Sequence, residues 1–483
     1  MEGTDLAFRD DDRPVLSFLT SHWLSIAGAV LTTVAGYTWV LTLPSQIRGH
    51  ATNPYIGILL FLILPAVFAF GLILMPIGMW LSRRAVRQGL RQAVTRKTSI
   101  RRLAVFLVIA TLFNFVIMSQ LSYRAVEYME GTQFCGQSCH VMKPEFTAHR
   151  VAPHARVLCV ECHVVPGAAG WVASKMAGTR QLVAVVLNDY PRPIKSAMET
   201  NRLVPSAETC EKCHWPDRFG GAKLRVIPDY ADDETNTPSK TVLMMMVGGG
   251  GVRGIHGAHF GDRVSIRYAS TDSTRQTIPW VEYKDATLNE VRTYAAEGVK
   301  AEESAKLQYY NMQCVDCHNR PAHTFELPER AVNRAMARGQ ISVSLPFIKK
   351  KGVEVLKATY ATSEDAGKQI PESIRSYYRQ GYPAVYESRT ADVEMAAKAI
   401  LAIYNENVFP DLKVTWGTYL NNLGHTDFPG CFRCHDEAHT SSAGTTITQD
   451  CSACHEMVAA SEASPEILRT LGLEEKMSKM QHK

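Results

Sequence analysis

No cysteine in this chain stands apart from a partner: all 12 fall into six close pairs, and none is left over. Charge is absent from three long stretches, residues 23–43, 54–81 and 103–121. That absence excludes a wholly water-exposed front quarter, because each stretch is long enough to cross a hydrocarbon core as a helix. Acid is absent from the loop between the second and third stretches, which carries Arg83, Arg84, Arg87, Arg91, Arg96, Lys97, Arg101 and Arg102. A basic leading region and a small-residue cleavage site are both missing before the first stretch, so no cleavable signal peptide is expected and the anchor is permanent. The overall charge of +5 has little to offer a polyanion, since the inner loop accounts for it and residues 122–483 are close to neutral. Nucleic acid is excluded as a partner on that ground.

What is present is a histidine after every cysteine pair. The segments are Cys135, Cys139, His140; Cys159, Cys162, His163; Cys210, Cys213, His214; Cys314, Cys317, His318; Cys431, Cys434, His435; and Cys451, Cys454, His455. Two thiols that add to the two vinyl groups of one porphyrin, followed by an imidazole that turns onto the iron, need this spacing. Zinc ribbons also use paired cysteines, but they need four ligands per metal and have no use for a histidine after each pair. A disulfide framework would not require the histidines either. Six covalent c-type haems are expected. The first site departs from the others, because three residues separate Cys135 from Cys139 and lengthen the loop over the haem edge.

The three apolar stretches predict a three-helix transmembrane anchor over residues 1–121, with Pro65 and Pro76 kinking the second helix. The basic loop, residues 82–102, stays in the cytoplasm. The amino terminus is then cytoplasmic, and everything after residue 121 emerges in the periplasm, where haem is attached. No histidine lies within a span, and His22 and His50 sit at opposite ends of the first, which argues against buried b-type haems. The expected localisation is the bacterial inner membrane, multi-pass.

Residues 122–483 predict a mainly α multihaem cytochrome c domain with a small β-hairpin insertion. Haems 1–4 occupy residues 122–325, with an insertion at 221–309; residues 326–483 form a helical segment and a two-haem module. The insertion holds a polar linker (ADDETNTPSK), a GGGG loop and the alternating stretch RVSIRYASTDSTRQTIPWVEYK, which reads as the hairpin. Helical periodicity marks ERAVNRAMARG and DVEMAAKAILAIYN, and the tail from Ser464 reads as one amphipathic helix.

A chain that only passes electrons gives each iron two protein ligands, whereas a terminal reductase leaves one iron open. His154, His323, His425 and His439 lie near haem motifs and are candidate distal ligands, and His256 or His259 in GIHGAH makes a fifth. Met142, two residues after His140, is the candidate for the first haem, whose potential a thioether would raise. Five histidines and one methionine suffice for six irons.

The stretch FCGQSCHVMKPEFTAHRVAPHARVLCVECHVVPG, directly after a membrane helix, resembles the NapC/NirT (NrfH-like) family of membrane-anchored quinol dehydrogenases. In that family the first haem has a CHxM segment, a histidine precedes the second motif as His154 does, and CVDCHNRPAH resembles the fourth-haem segment with His323 as distal ligand. The likeness covers about residues 100–215 and 310–325. Two extra spans and two added haems depart from the family and look more like the larger inner-membrane cytochromes of metal-respiring bacteria.

The resemblance implies oxidation of menaquinol from the membrane quinol pool at the first haem, with periplasmic multihaem cytochromes or a reductase as acceptor. Even a continuous helix holds Cys135 within roughly 20 Å of the membrane surface, and the segment PGAAGWVASKMAGTRQLVAVVLNDY reads as an interfacial helix. Lys175 occupies a position similar to the family's quinol-site lysine. The family's acidic partner has no match at Gln181 and Leu182, so Glu145 or Asp189 takes its place. A terminal reductase for a small nitrogen compound or oxyanion, and a non-catalytic wire within a larger respiratory complex, are the alternatives.

Overall fold

A computed structural model describes residues 22–47, 62–81, 115, 118–200, 203–215, 220–248, 254–261, 263–299 and 307–473. The chain forms two compact units, Met1–His140 and Val141–Lys483.

In the first unit, α1 (Trp23–Ile47) packs along α2 (Leu64–Leu81), and α3 covers residues 118–130. Glycine lets the first two backbones approach: a Cβ on Gly28 would stand 2.6 Å from the carbonyl oxygen of Gly71, and one on Gly71 would meet Thr32. Small residues at a helix crossing are how apolar helices associate where no hydrophobic drive separates them from lipid. Ser25 Oγ adds a hydrogen bond to the carbonyl of Met75 at 3.1 Å. The outward faces stay apolar, with Ile26, Val30 and Val34 on α1 and Phe70, Ile73, Ile77 and Trp80 on α2 all exposed. Among the described residues, Leu64–Leu81 is the helix long and apolar enough to cross a membrane, and Trp23–Gly36 is a shorter apolar stretch. Pro76 lies inside α2. The basic loop 82–102 and most of the third expected span lie outside the described residues.

The second unit is mostly helical, with some sheet. Short helices come first: α4 (Lys143–Val151), α5 (Cys159–His163) and α6 (Ala168–Val186), then α7 (Ile255–His259) and α8 (Cys314–Cys317). A helical lobe follows, α9 (Pro328–Ala337), α10 (Ile348–Lys357), α11 (Ser363–Gly381), α12 (Pro383–Ser388) and α13 (Thr390–Asn407). Its periodicity is that of amphipathic helices: Ala366, Ile370, Ile374 and Tyr378 are buried every fourth residue on α11, facing Val393, Ala397, Ile400 and Tyr404 of α13 in one core. Thr362 starts α11 by accepting from the amide of Asp365 at 3.0 Å.

The insertion is larger than a hairpin. Strands β1 (Lys223–Tyr230) and β2 (Pro238–Met245) pair antiparallel, so ADDETNTPSK contains a tight turn where a linker was expected. The Asp233 carboxylate accepts from the Thr237 amide at 2.8 Å and from its hydroxyl at 2.5 Å, and Asn236 takes a left-handed conformation. Asn236 is fully buried, bonded to the carbonyls of Val343 and Leu345 and to the amide of Lys349, which plugs the turn into the helical lobe. The expected hairpin is present as β3 (Val264–Ser270) and β4 (Trp280–Asp285). It sits in a five-stranded antiparallel sheet with β5 (Glu290–Ala295), β6 (Gln308–Asn311) and β7 (Thr440–Ser441). Strand β8 (His455–Glu462) joins β2 to complete a three-stranded sheet. The tail is a five-residue helix, α14 (Glu466–Thr470), and residues beyond 473 lie outside the described ones.

Candidate haem sites

Each attachment motif is a single helical turn. The second and fourth are α-helical, and the third, fifth and sixth are 3-10 turns at Cys210–Lys212, Gly430–Arg433 and Cys451–Ala453. Three-residue spacing on such a turn puts both sulfurs on one side. The turn ends by bonding the histidine amide back to the first cysteine, at 2.7 Å for His214, 2.8 Å for His318 and 3.1 Å for His435. The first motif absorbs its extra residue in a π turn, Phe134–Ser138. Widening the turn by one residue returns Cys135 and Cys139 to the same side.

Five of the proximal histidines have a second imidazole across from them. The ring centroids of His163 and His323 are 6.3 Å apart, those of His214 and His154 5.8 Å, and those of His318 and His256 6.3 Å. His435 faces His259 at 5.8 Å and His455 faces His425 at 6.2 Å. Two imidazoles that bind one metal through nitrogen at about 2 Å each hold their centroids roughly 6 Å apart. The donors are oriented for it. Nδ1 of His154 bonds the carbonyl of Pro321 at 3.1 Å, that of His323 the carbonyl of Glu145 at 3.0 Å, that of His259 the carbonyl of Ile255 at 2.7 Å, and that of His435 the carbonyl of Thr448 at 2.7 Å. A carbonyl only accepts, so Nδ1 carries the proton and Nε2 keeps its lone pair for a metal. Burial also favours the neutral ring: it lowers His163, His259 and His318 and brings His323 down to about 4.

The pairing is interleaved. His154 precedes the second motif but faces the third, and His323 follows the fourth but faces the second. Both His256 and His259 face motif histidines, from positions three residues apart on α7. His439, expected as a distal ligand, is instead engaged at both ring nitrogens, Nδ1 with Asp436 at 2.8 Å and Nε2 with the carbonyl of Ile278 at 2.6 Å. It is 2% exposed, and the imidazole that faces His435 is that of His259. His149 is also buried, its Nε2 on the carbonyl of Val157 at 3.0 Å, with its ring 6.1 Å from His323. Met142 is half-buried at the end of the 3-10 turn His140–Met142.

Neighbouring motifs are also tied together directly: the Ser206 amide beside the third donates to Gln313 Oε1 beside the fourth at 3.0 Å, Arg433 in the fifth donates to the carbonyl of Asp316 in the fourth at 2.7 Å, and His425 just before the fifth faces His455 of the sixth. Among the described residues no three His, Cys, Asp or Glu side chains converge as a zinc centre requires.

The two quinol-site candidates have separate partners. Lys175 holds its Nζ 5.2 Å over the ring of Trp171 on α6, whose Val172, Met176, Val183 and Val186 are exposed. Glu145 on α4 is buried; desolvation raises its carboxyl, Arg320 opposes that shift, and Oε2 has no hydrogen-bond partner. Asp189 is exposed just past α6.

Attachment turns followed by histidine and faced by a second histidine define a multihaem c-type cytochrome. Residues 96–219 match the NapC/NirT cytochrome c family, N-terminal region. The chain is 38% identical over 449 residues to the cytochrome c-type protein ImcH of Geobacter sulfurreducens, covering 90% of this chain and 87% of that one. It is 30% identical over 90 residues to the cytochrome c nitrite reductase subunit NrfH of Nitratidesulfovibrio vulgaris, covering 18% of this chain and 55% of that one. No solved structure matches. The chain belongs to the NapC/NirT-like family of membrane-anchored, electron-transferring c-type cytochromes, in the extended form that ImcH shares.

Proposed function

We propose that this chain is a hexahaem c-type cytochrome of the bacterial inner membrane that oxidises menaquinol and passes the electrons to periplasmic multihaem cytochromes or a reductase. The observation that carries this reading is the set of five facing histidine pairs. Centres closed on both sides relay electrons, whereas a terminal reductase needs an open one. With Met142 at the first site, six covalent haems are accounted for, each supplying a one-electron acceptor.

The chain's own residues provide the rest. Three spans with the basic loop 82–102 inside keep the haem region in the periplasm. The exposed apolar side chains of α6 and Trp171 suit a lipid interface and a bed for the quinol tail. Lys175, steadied over Trp171, donates a hydrogen bond to a quinol oxygen. Glu145, whose raised carboxyl keeps a free oxygen, accepts a quinol proton.

Membranes carrying Lys175→Met test the site. Haem reduction by a menaquinol analogue is expected to slow at least about tenfold, the loss of roughly one charge-assisted hydrogen bond, while dithionite reduces the same amount of haem. An unchanged rate overturns the assignment of Lys175. A high-spin resting spectrum from more than the first haem overturns the relay.

A further inference from the structure

The insertion between the third and fourth motifs does more than present His256 and His259. Tyr268 on β3 and Arg275 in the turn after it both reach Asp316, which lies between the two cysteines of the fourth motif. Arg275 Nη1 donates to Asp316 Oδ1 at 2.8 Å, the Tyr268 hydroxyl donates to the same oxygen at 2.5 Å, and the Gln313 amide donates to Oδ2 at 2.7 Å. The two charged side chains are 10% and 2% exposed. Arg433, between the cysteines of the fifth motif, reaches back to both: Nη1 donates to the carbonyl of Arg275 at 2.8 Å and Nη2 to that of Asp316 at 2.7 Å. Asn422 Nδ2 donates to the Asp316 carbonyl at 3.0 Å, and Gln276 Nε2 holds Asn422 Oδ1 at 3.1 Å. Two attachment loops are therefore fastened to one ion pair, half of which comes from the insertion.

A buried ion pair is a poor way to stabilise a fold, since desolvation offsets much of the attraction. Its position is what matters. A fixed charge in a low-dielectric interior acts strongly on a neighbouring centre that changes charge. A negative one favours the oxidised haem and a positive one the reduced haem.

We propose that Arg275 and Asp316 are positioning residues for the fourth haem: the Asp316 carboxylate ties its attachment loop to the insertion through Tyr268 and Arg275, and Arg275 cancels the buried charge that would otherwise shift the haem's potential. This rests on the reading of residues 314–318 and 431–435 as haem sites.

The purified full-length holoprotein with Asp316→Asn, Arg275→Gln or both is titrated spectroelectrochemically, and the mass of the covalently loaded chain counts the haems. Asp316→Asn leaves a guanidinium uncompensated and moves one titration wave to higher potential; Arg275→Gln leaves a carboxylate and moves it lower. Each shift is about tenfold in the reduced-to-oxidised ratio at fixed potential, about 59 mV for one electron. The double variant, with no buried net charge, returns towards the parent. Shifts of the same sign, no shift in either single variant, or a double variant displaced as far as a single one overturn the proposal. If a single variant loses a haem, the double one decides, because only a charge effect is relieved by the second substitution. A parent mass lacking the haems of these motifs strikes instead at the reading beneath the proposal.

Discussion

His323 stands across from His163 with ring centroids 6.3 Å apart, although one follows the fourth cysteine pair and the other belongs to the second. Its Nδ1 is tied to the carbonyl of Glu145, so its free nitrogen is directed at the second site. Replacing it removes one ligand and leaves the attachment cysteines intact. In His323→Ala one haem's worth of signal is expected to become high-spin, with the mass of the loaded chain unchanged. Electron paramagnetic resonance reads this directly, and a spectrum still wholly low-spin at that site would assign the ligand elsewhere.

His439 gives the opposite outcome. Both ring nitrogens are bonded, one to Asp436 and one to the carbonyl of Ile278. His439→Ala leaves the carbonyl of Ile278 buried without its hydrogen bond, which costs about 1–3 kcal/mol of stability. The haem spectrum should stay as in the parent while the urea midpoint falls. A new high-spin signal would restore His439 as a ligand.

Met142 tests the first site. A thioether raises a haem potential relative to a second imidazole, so Met142→His should lower the highest of the titration waves and leave the others in place. No displacement of any wave would mean that Met142 only packs.

The turn between β1 and β2 has a pH signature. Hydrogen bonds from the Thr237 hydroxyl and amide hold the Asp233 carboxyl below the usual aspartate range. A carboxyl lowered in the folded state contributes stability above its unfolded value and loses it as pH falls through the folded one. The stability gap between the parent and Asp233→Asn should therefore be present at neutral pH and close progressively below about pH 4. Thermal unfolding of both proteins across that range checks it, and a gap independent of pH would place the effect in the backbone turn instead.

Close packing of α1 on α2 depends on the absence of a side chain at Gly71, where a Cβ would meet both Thr32 and the Gly28 carbonyl. Gly71→Leu should separate the helices and reduce the amount of protein recovered from membranes. Gly36→Ala is milder, because the nearest atom to an added Cβ is the ring edge of Phe68 at 3.3 Å. Equal recovery of the parent and Gly71→Leu would remove the close approach.

The cysteine pairs stand out in the sequence because covalent attachment would fix their spacing, and the turns they form agree with it. Two of the three apolar stretches are helices among the described residues, and the amphipathic lobe follows its sequence period, where a single period decides the buried face. Partner choice was not legible. Proximity along the chain suggested His439 for the fifth site, yet Asp436 three residues away captures its ring, and His259 arrives from the insertion. Strands β7 and β8 were missed for the same reason: each pairs with a strand far back in the chain, and β1 and β2, rich in Val, Leu and Met, lack the alternation that marked β3 and β4. The π turn at Cys135 was signalled only as an irregular spacing, and it takes up the extra residue between Cys135 and Cys139.

The crossing of His154 and His323 between motifs also ties distant parts of the chain to one another. The imidazole that faces His163 lies 160 positions further on, so the second motif and its facing histidine come together only once the chain as far as residue 323 has folded back. A product ending before residue 323 would hold the second motif without its facing imidazole.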